Sequence, residues 1–403
     1  MEPALLDYLK ERGVVIPAPH AILIGPEVRA DRIARGVILH PGVRLHGSAL
    51  TLLEGAEIGR EGPAVLEDCV IGPQVQLQGG TYRKSVFLAK ASMGPGAQVR
   101  EGCLLEEEAG GAHTVGLKQT ILFPFVTLGS LINFCDCLMT GGTSRKNHSE
   151  VGSSYIHFNF TPNQDKATAS LIGDVPRGVM LRERPIFLGG QGGLVGPARI
   201  GFGSVLAAGI VWRGDLEENR LVCGVPAESK ILEARPGVYR EIRRRLIRNI
   251  EYIGSLVALR EWYSFVRRAF LSVDLLQGAL HVLDAGLAER LERLKGLAAR
   301  MPESIQGFRT LEAREGSELI LRQKEELHRF WDKAEAALRE RIDRPGMEQK
   351  RDLFLGRMPP TTDPYIGFIQ NLPDRAREAG IGWLQEIVEE IRRSAIEHLP
   401  SFR

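Results

Sequence analysis

A chain of 403 residues, 43% hydrophobic and 25% charged, is long enough for two or three folded units and has an ordinary water-soluble composition. Its formal net charge of +2 gives no general attraction to nucleic acid, and no run approaches the roughly 18 apolar residues of a membrane span. Met1-Glu2-Pro3-Ala4 lacks the basic-then-apolar order of a secretory signal. The cysteines, Cys69, Cys103, Cys135, Cys137 and Cys223, are odd in number and sparse, which predicts reduced thiols and a cytoplasmic location. Cys135 and Cys137 form C-x-C with no second pair, so they make no zinc site and are read as packing residues.

From the N-terminus, a short helix to about Arg12 is closed by Gly13. Imperfect six-residue steps follow. Ile24-Gly-Pro-Glu-Val28, Leu39-His-Pro-Gly-Val43 and Leu45-His-Gly-Ser-Ala49 each place an apolar residue four positions before a small or β-branched one. Val65, Ile71 and Leu77 form one six-spaced set, Met93, Val99 and Leu105 another, and Leu128 with Phe134 opens a third, with Ile132 and Leu138 at its corner stations. The sets do not share one phase, which predicts interrupting loops at Gly79-Gly80, Glu106-Glu107-Glu108 and Gly110-Gly111.

The clearest steps are Leu188, Leu194, Ile200, Leu206 and Trp212, with Gly192, Ala198, Ser204 and Ile210 four residues after the first four. A helix face repeats every three to four residues and a simple strand every two, so neither keeps a period of six. A triangular solenoid does: each flat side is a short strand with one apolar residue inward and a small residue at the corner. The prediction is a left-handed parallel β-helix, a hexapeptide-repeat solenoid, over residues 1–230. Polar and aromatic residues from Thr143 to Pro185 interrupt it as an inserted loop (143–185), and an insertion on one side of a solenoid is a natural place for binding.

Glycine divides the chain, with 33 of 45 in residues 1–230. Beyond Lys230, runs of Leu, Ala, Arg and Glu at helical spacing predict an all-α domain over 231–403. Its helices fall at about 237–272, 274–300, 310–343 and 374–398, with breaks at Pro302, Pro345-Gly346 and Pro359-Pro360. The run Arg240 to Arg248 makes an amphipathic helix with a cationic face, either solvated or open to an acidic protein partner or an anionic lipid surface. Trp262, Tyr263, Phe265 and Phe270 read as the core of this domain, and no chemistry is visible in it.

The hexads followed by Gly224-Val225-Pro226-Ala227 resemble the left-handed β-helix acyltransferases, whose solenoid ends in a Gly-x-Pro-Ala turn. A more specific resemblance lies in Val151-Gly-Ser-Ser-Tyr-Ile-His-Phe-Asn159-Phe160, then Asp165-Lys166 and Ser170-Leu-Ile-Gly-Asp174. This order is similar to the acetyltransferase half of the bifunctional bacterial enzyme that makes UDP-N-acetylglucosamine, and it continues through Val195 to Gly209 and Asp215. It covers about residues 125–228. The Gly-x-Gly-Thr-Arg-Met loop of the nucleotidyltransferase half has no counterpart near this N-terminus. That family's catalytic His lies about one coil before the Asn, whereas His148 is only eleven residues before Asn159.

The resemblance implies transfer of an acetyl group from acetyl-CoA, as substrate, to an amino sugar or sugar phosphate, in a homotrimer whose sites lie between solenoids. Such transfer needs a base for the amine and a donor for the oxyanion. His148, His157 and Asn159 are the candidate reacting-centre residues, and on a strand His157 and Asn159 share a face. Arg145, Lys146, Tyr155 and Lys166 bracket them as contacts for a sugar phosphate or sugar nucleotide. Gly190 and Gly193, in a Gly-rich run without the phosphate-loop ending, and Ala208 would lie beneath a pantetheine arm. The bland alternative places His157 on an exposed strand face, Asn159 in a coil corner and the cations in solvent. A third reading, zinc chemistry, has His113 and His148 35 residues apart, near two coils, but His157 is out of place for it, so no metal is predicted. The competing function is a non-catalytic solenoid that binds a sugar nucleotide or organises a partner through its helices.

Overall fold

The computed structural model describes residues 3–159, 161, 163, 165–224, 235–310 and 317–403. After helix α1 (Pro3–Glu11), which Gly13 closes at φ 80°, the chain winds a parallel β-solenoid of about eleven turns. Every strand pair of the coils is parallel, and the three flat faces are evident from the pairing. The first face is a ten-stranded ladder from Ile38–Leu39 to Leu221–Val222. The second runs from Leu23–Ile24 to Val211–Arg213, and the third from Thr51–Leu52 to Arg199–Ile200. The long strands Gly116–Leu122 and Asn133–Met139 pass through a corner and join the second and third faces into one sheet.

The ladder from Leu188 behaves as its spacing predicts. Leu188 pairs with Leu206 and Leu194 with Trp212, eighteen residues on, while Ile200 bridges to Leu216. Leu188, Leu194, Ile200 and Leu206 are buried in the shaft. Small residues fill the inside of one corner on successive coils: Ser85 pairs with Cys103, and Thr120 with Cys137, which pairs with Ser170. All five are buried, so two of the cysteines are indeed packing residues.

The phase slips do not come from loops. Gly80 and Gly110-Gly111 lie in strands, and Glu106 to Glu108 turns an ordinary corner with Glu108 at φ 58°. Coil length varies instead: Glu57 pairs with Gln76 nineteen residues on, Gln76 with Ser92 after sixteen, Gly110 with Thr127 after seventeen. Gly80 itself leaves no alternative to glycine, because at φ 124° an added Cβ would stand 2.2 Å from the Ala97 carbonyl oxygen. Variable coils also shift which residue faces inward. Val65 points out and its neighbour Leu66 in, and Leu138 is an outward strand residue rather than a corner one.

The interruption from Thr143 to Pro185 resolves into a hairpin (Gly142–Ser144 with Asn147–His148), a complete further coil, and helix α2 (Val175–Gly178). Asp174 caps α2 by accepting from the Arg177 N–H at 2.9 Å.

Helices follow the solenoid: α3 (Arg243–Phe265), α4 (Val273–Ala299), α5 (Met301–Arg309), α6 (Ser317–Asp343), α7 (Glu348–Leu355), α8 (Tyr365–Gln370) and α9 (Asp374–Glu397). The break expected at Pro302 falls between α4 and α5, and Pro302 sits in the first turn of α5, where its missing N–H leaves no bond unmade. The Gly224-to-Ala227 turn lies outside the described residues beyond Gly224, as does the expected 230/231 boundary, and so does the start of the 310–343 helix up to residue 316. Trp262 and Tyr263 are fully buried, while Phe265 and Phe270 pack partly buried at the edge of that core.

The helices lie on the third face. Its outward row, Val70, Val86, Leu104, Ile121, Leu138 and Leu171, is apolar on six successive coils, in register. Helix α4 packs on the strands holding Val70, Val86 and Leu104, and α3 on the one holding Leu171. Strand side chains alternate between the two sides of a sheet. Adjacent apolar residues such as Val86-Phe87 or Leu104-Leu105 therefore mean that both sides are covered.

Candidate functional site

Asn133 pairs with Ile156, and this register carries His157 and Asn159 past Phe134 and Asp136 of the preceding coil. His157 occupies an inward core station. It is 1% exposed, its ring meets Phe134 edge-on at 6.1 Å, and its Nε2 lies 2.8 Å from Ser170 Oγ, which also accepts the Ala198 N–H at 3.0 Å. Burial lowers its pKa to about 4, so the ring is neutral across the physiological range. Tyr155 is fully buried beside Phe134. Neither ring reaches the surface on which a substrate would lie.

Asn159 turns the other way, into the corner between the second and third faces. Its Nδ2 donates to Asp136 Oδ2 at 3.0 Å. Asp136, at φ 57° and 6% exposed, also accepts from Arg290 Nη2 of α4 at 2.7 Å, and Arg290 is itself 1% exposed. Beside them Asp165, 3% exposed, accepts from the Tyr239 hydroxyl at 2.7 Å, the Ala167 N–H at 3.0 Å and Arg245 Nη1 at 3.1 Å. Lys166, half-buried, sits next to this cluster at φ 51°. A buried carboxylate with opposed cations and full hydrogen bonding joins surfaces firmly, because removing either partner strands a charge. This corner is a clamp between coil and helices.

His148 stands at a different corner, on the hairpin between the third and first faces. Its Nδ1 is 2.9 Å from the Arg145 carbonyl oxygen, which can only accept. In the neutral ring the proton is therefore on Nδ1, and Nε2, 3.7 Å from Glu150 Oε2, presents a lone pair. Arg145 folds back over the stacked corners, its Nη1 donating to the carbonyls of Phe125 at 2.9 Å and Glu108 at 3.1 Å and to Thr127 Oγ1 at 2.8 Å. Lys146 is exposed at the hairpin tip.

Gly190, Gly193 and Ala208 belong to the remaining corner and the second face. Gly190 stacks on Ser153 of the coil before, Gly193 lies beneath the Phe158 ring, and Ala208 is exposed one coil on. Within one chain the structure thus distributes the predicted residues over three corners and the core. It brings Arg145, Lys146 and His148 together on the hairpin, while Asn159 meets Asp136 in another corner and Lys166 follows the buried Asp165. Among the described residues no three His, Cys, Asp or Glu side chains converge to hold a metal ion.

Reading the sequence does not single out Asp136. It stands one coil before Asn159, the separation at which the resembled acetyltransferases carry their catalytic His, and it is the lone charge in the apolar stretch Phe134-Cys135-Asp136-Cys137-Leu138. The hairpin lengthens the coil, so that Asp136 and Asn159 stand 23 positions apart in the sequence and their pairing is hidden there.

Known proteins agree with this architecture. The chain is 27% identical over 219 residues to the bifunctional protein GlmU of a Thermotoga species, covering 54% of this chain and 44% of that protein. It is 30% identical over 191 residues to the bifunctional protein GlmU of Thermus thermophilus, covering 47% and 37%. Over about half its length, this chain is a homologue of the GlmU proteins. It spans less than half the length of these curated relatives, and no family model matches it. The parallel solenoid is consistent with the acetyltransferase half that the Asn159 segment resembles.

The helical region contributes more to the corners than its sequence indicated. Tyr263 donates to Glu106 at 2.5 Å, and Arg267, fully buried, donates to Glu107 at 2.6 Å and lies 3.7 Å over the Tyr365 ring. Burial raises the Glu106 pKa to about 7 against the opposing pull of Arg267. Of the basic run, Arg245 binds Asp165 and Arg248 binds Asp215 at 2.5 Å, so part of its cationic face meets the solenoid and not solvent.

Proposed function

We propose that this protein binds a sugar phosphate or sugar nucleotide on an acyltransferase-type solenoid, and that it does not acetylate that ligand at the Asn159 corner. One observation carries the second half of this reading. The station at which the resembled enzymes hold a titrating imidazole is Asp136, tied to Asn159 and to Arg290 beneath α4. Both oxygens of this buried carboxylate are already taken, Oδ2 by Asn159 and Oδ1 by Arg290, so it offers no free acceptor to a substrate amine. Kinship with the GlmU proteins supports the sugar-linked ligand.

Acetyl transfer from acetyl-CoA is the second reading, and the geometry of His148 favours it. An imidazole with Nδ1 anchored to a carbonyl and Nε2 open is set up as a general base. The thioester arm would lie along Gly190, Gly193 and Ala208. Because these residues and His148 occupy different corners, this reading requires neighbouring chains in a trimer to bring them together. Exposed Ile156, Phe158, Phe187, Val211 and Leu221 on the first and second faces supply apolar surface for such closure. Isothermal titration calorimetry of the intact chain with glucosamine 1-phosphate and UDP-N-acetylglucosamine tests the binding. Saturable heat is expected for at least one of them, and none for either would overturn the proposal. Light scattering tests the trimer that the second reading needs.

A further inference from the structure

The apolar row on the third face ends abruptly. Leu171 pairs in register with Arg199, so the outward station changes from leucine to arginine in one coil. At that rung the helices stand off the solenoid and leave a cleft of about 450 Å³ between the last coils, α2, α3 and α9. That lies within the roughly 300–1,000 Å³ of small-molecule sites. Leu171, Pro176 and Val388 supply apolar walls, and Arg199, Arg392, Gln385 and Glu389 supply the polar ones.

The cations in the cleft are not equivalent. Arg177 is taken up by Asp174, at 2.6 Å, and by Glu218. Glu251 is held by Arg248, which leaves Arg392 at a loose 4.0 Å from it. The Arg199 guanidinium makes no hydrogen bond or ion pair among the described residues; its backbone N–H donates to Asp215 at 2.9 Å and its carbonyl accepts from the Leu216 N–H at 2.8 Å. On the opposite wall Gln385 donates to Glu389 at 3.1 Å, leaving carboxylate and amide oxygens for donors from a ligand. An unpaired guanidinium on the solenoid wall faces α9, where the loosely held Arg392 stands beside the Gln385 and Glu389 acceptors, and with apolar walls between them this suits a phosphate ester on a polyhydroxylated ring.

We propose that this cleft is where the phosphorylated sugar binds, with Arg199 and Arg392 on the phosphate and Glu389 and Gln385 on ring hydroxyls. The assignment rests on the sugar-linked reading above and moves its site from the Asn159 corner to the solenoid–helix cleft. Calorimetry on the full chain tests it with glucosamine 1-phosphate, UDP-N-acetylglucosamine, N-acetylglucosamine and inorganic phosphate as probes. A phosphorylated sugar should bind at least tenfold more tightly than either unphosphorylated sugar or inorganic phosphate. Arg199→Ala and Arg392→Ala should each weaken it tenfold or more, Arg199→Lys should recover part of the loss, and Asn159→Ala should leave it unchanged. Thermal melts of the Arg199 variants, at an exposed position, should match the parent. Binding that both arginine variants leave intact overturns the cleft and spares the function. Equal affinity for inorganic phosphate overturns the sugar contacts, and no binding of either phosphorylated sugar overturns the function and the cleft together.

Discussion

The second and third faces of the solenoid are built from the same coils, yet they differ in what their outward residues meet. On the second face, Val65, Thr81, Gln98, Gly116 and Asn133 follow one another outward, mostly polar and left to solvent. On the third, Val70, Val86, Leu104, Ile121, Leu138 and Leu171 do so and lie beneath the helices. The shaft is nearly indifferent to this choice, since most inward stations are apolar on both. The outward station therefore decides whether a face stays bare or acquires a cover, and the corner at either edge of a covered face becomes a joint. That is the position of Asp136, Asn159 and Asp165, where Asp165 meets Arg245 of α3 and Asp136 meets Arg290 of α4.

The contrast can be broken most severely at the joint. Asp136→Ala leaves Arg290 buried without its close carboxylate and should cost about 3–5 kcal/mol in urea unfolding. Glu67→Ala, which removes a 3.3 Å pair with Arg83 on the open second face, should cost no more than about 1 kcal/mol. Similar losses at the two sites would mean the covered corner is not a clamp. Next, Ile121→Ala beneath the helices should cost about 2–4 kcal/mol, while Gln98→Ala on the bare face should stay within about 0.5 kcal/mol.

Acid should sharpen the comparison through two buried groups of opposite sign. His157 has a folded pKa of about 4, below the ordinary 6.5, so its contribution is complete above pH 6.5 and is lost as pH falls toward 4. Integrated over that window the loss is on the order of 3 kcal/mol. Glu106 has a folded pKa of about 7, above the ordinary 4.5, so its contribution is full below pH 4.5 and fades as pH rises through 7. His157→Phe should flatten the acid-side fall in stability, and Glu106→Gln should steepen it. Unfolding curves between pH 4.5 and 7 that change in the opposite senses would refute the burial of both. A small effect is also expected for Arg145→Ala, which loses carbonyl contacts in a mostly exposed setting and should cost less than about 1 kcal/mol in the same unfolding assay.

The solenoid was legible because six-residue spacing leaves few alternatives, and Leu188 to Trp212 carries it without a slip. Phase elsewhere was harder. A coil of sixteen or nineteen residues shifts the inward station by one or two positions, which is why the spacing picks out Val65 for the core in place of Leu66. The cover on the third face was written in the doubled apolar pairs, from Val70-Ile71 to Leu171-Ile172, but pairs look like ordinary strand hydrophobicity until the register stacks them. The candidate site was the least legible. His157 and Asn159 lie two apart on a strand, yet the corner after Phe158 turns Asn159 outward while His157 stays in the shaft. The cleft at Arg199 draws on α2, α3 and α9, and no local motif announces a site assembled from segments about two hundred residues apart.

The central claim is that the Asn159 corner joins coil to helices and does not transfer acetyl groups. Incubating the intact protein with radiolabelled acetyl-CoA and a panel of amino-sugar phosphates tests it directly, with Asn159→Ala and His148→Ala in parallel. The account predicts no label in any sugar, from the parent or from either variant. Turnover by the parent that Asn159→Ala abolishes, in a variant that keeps the parent's fold, would contradict it.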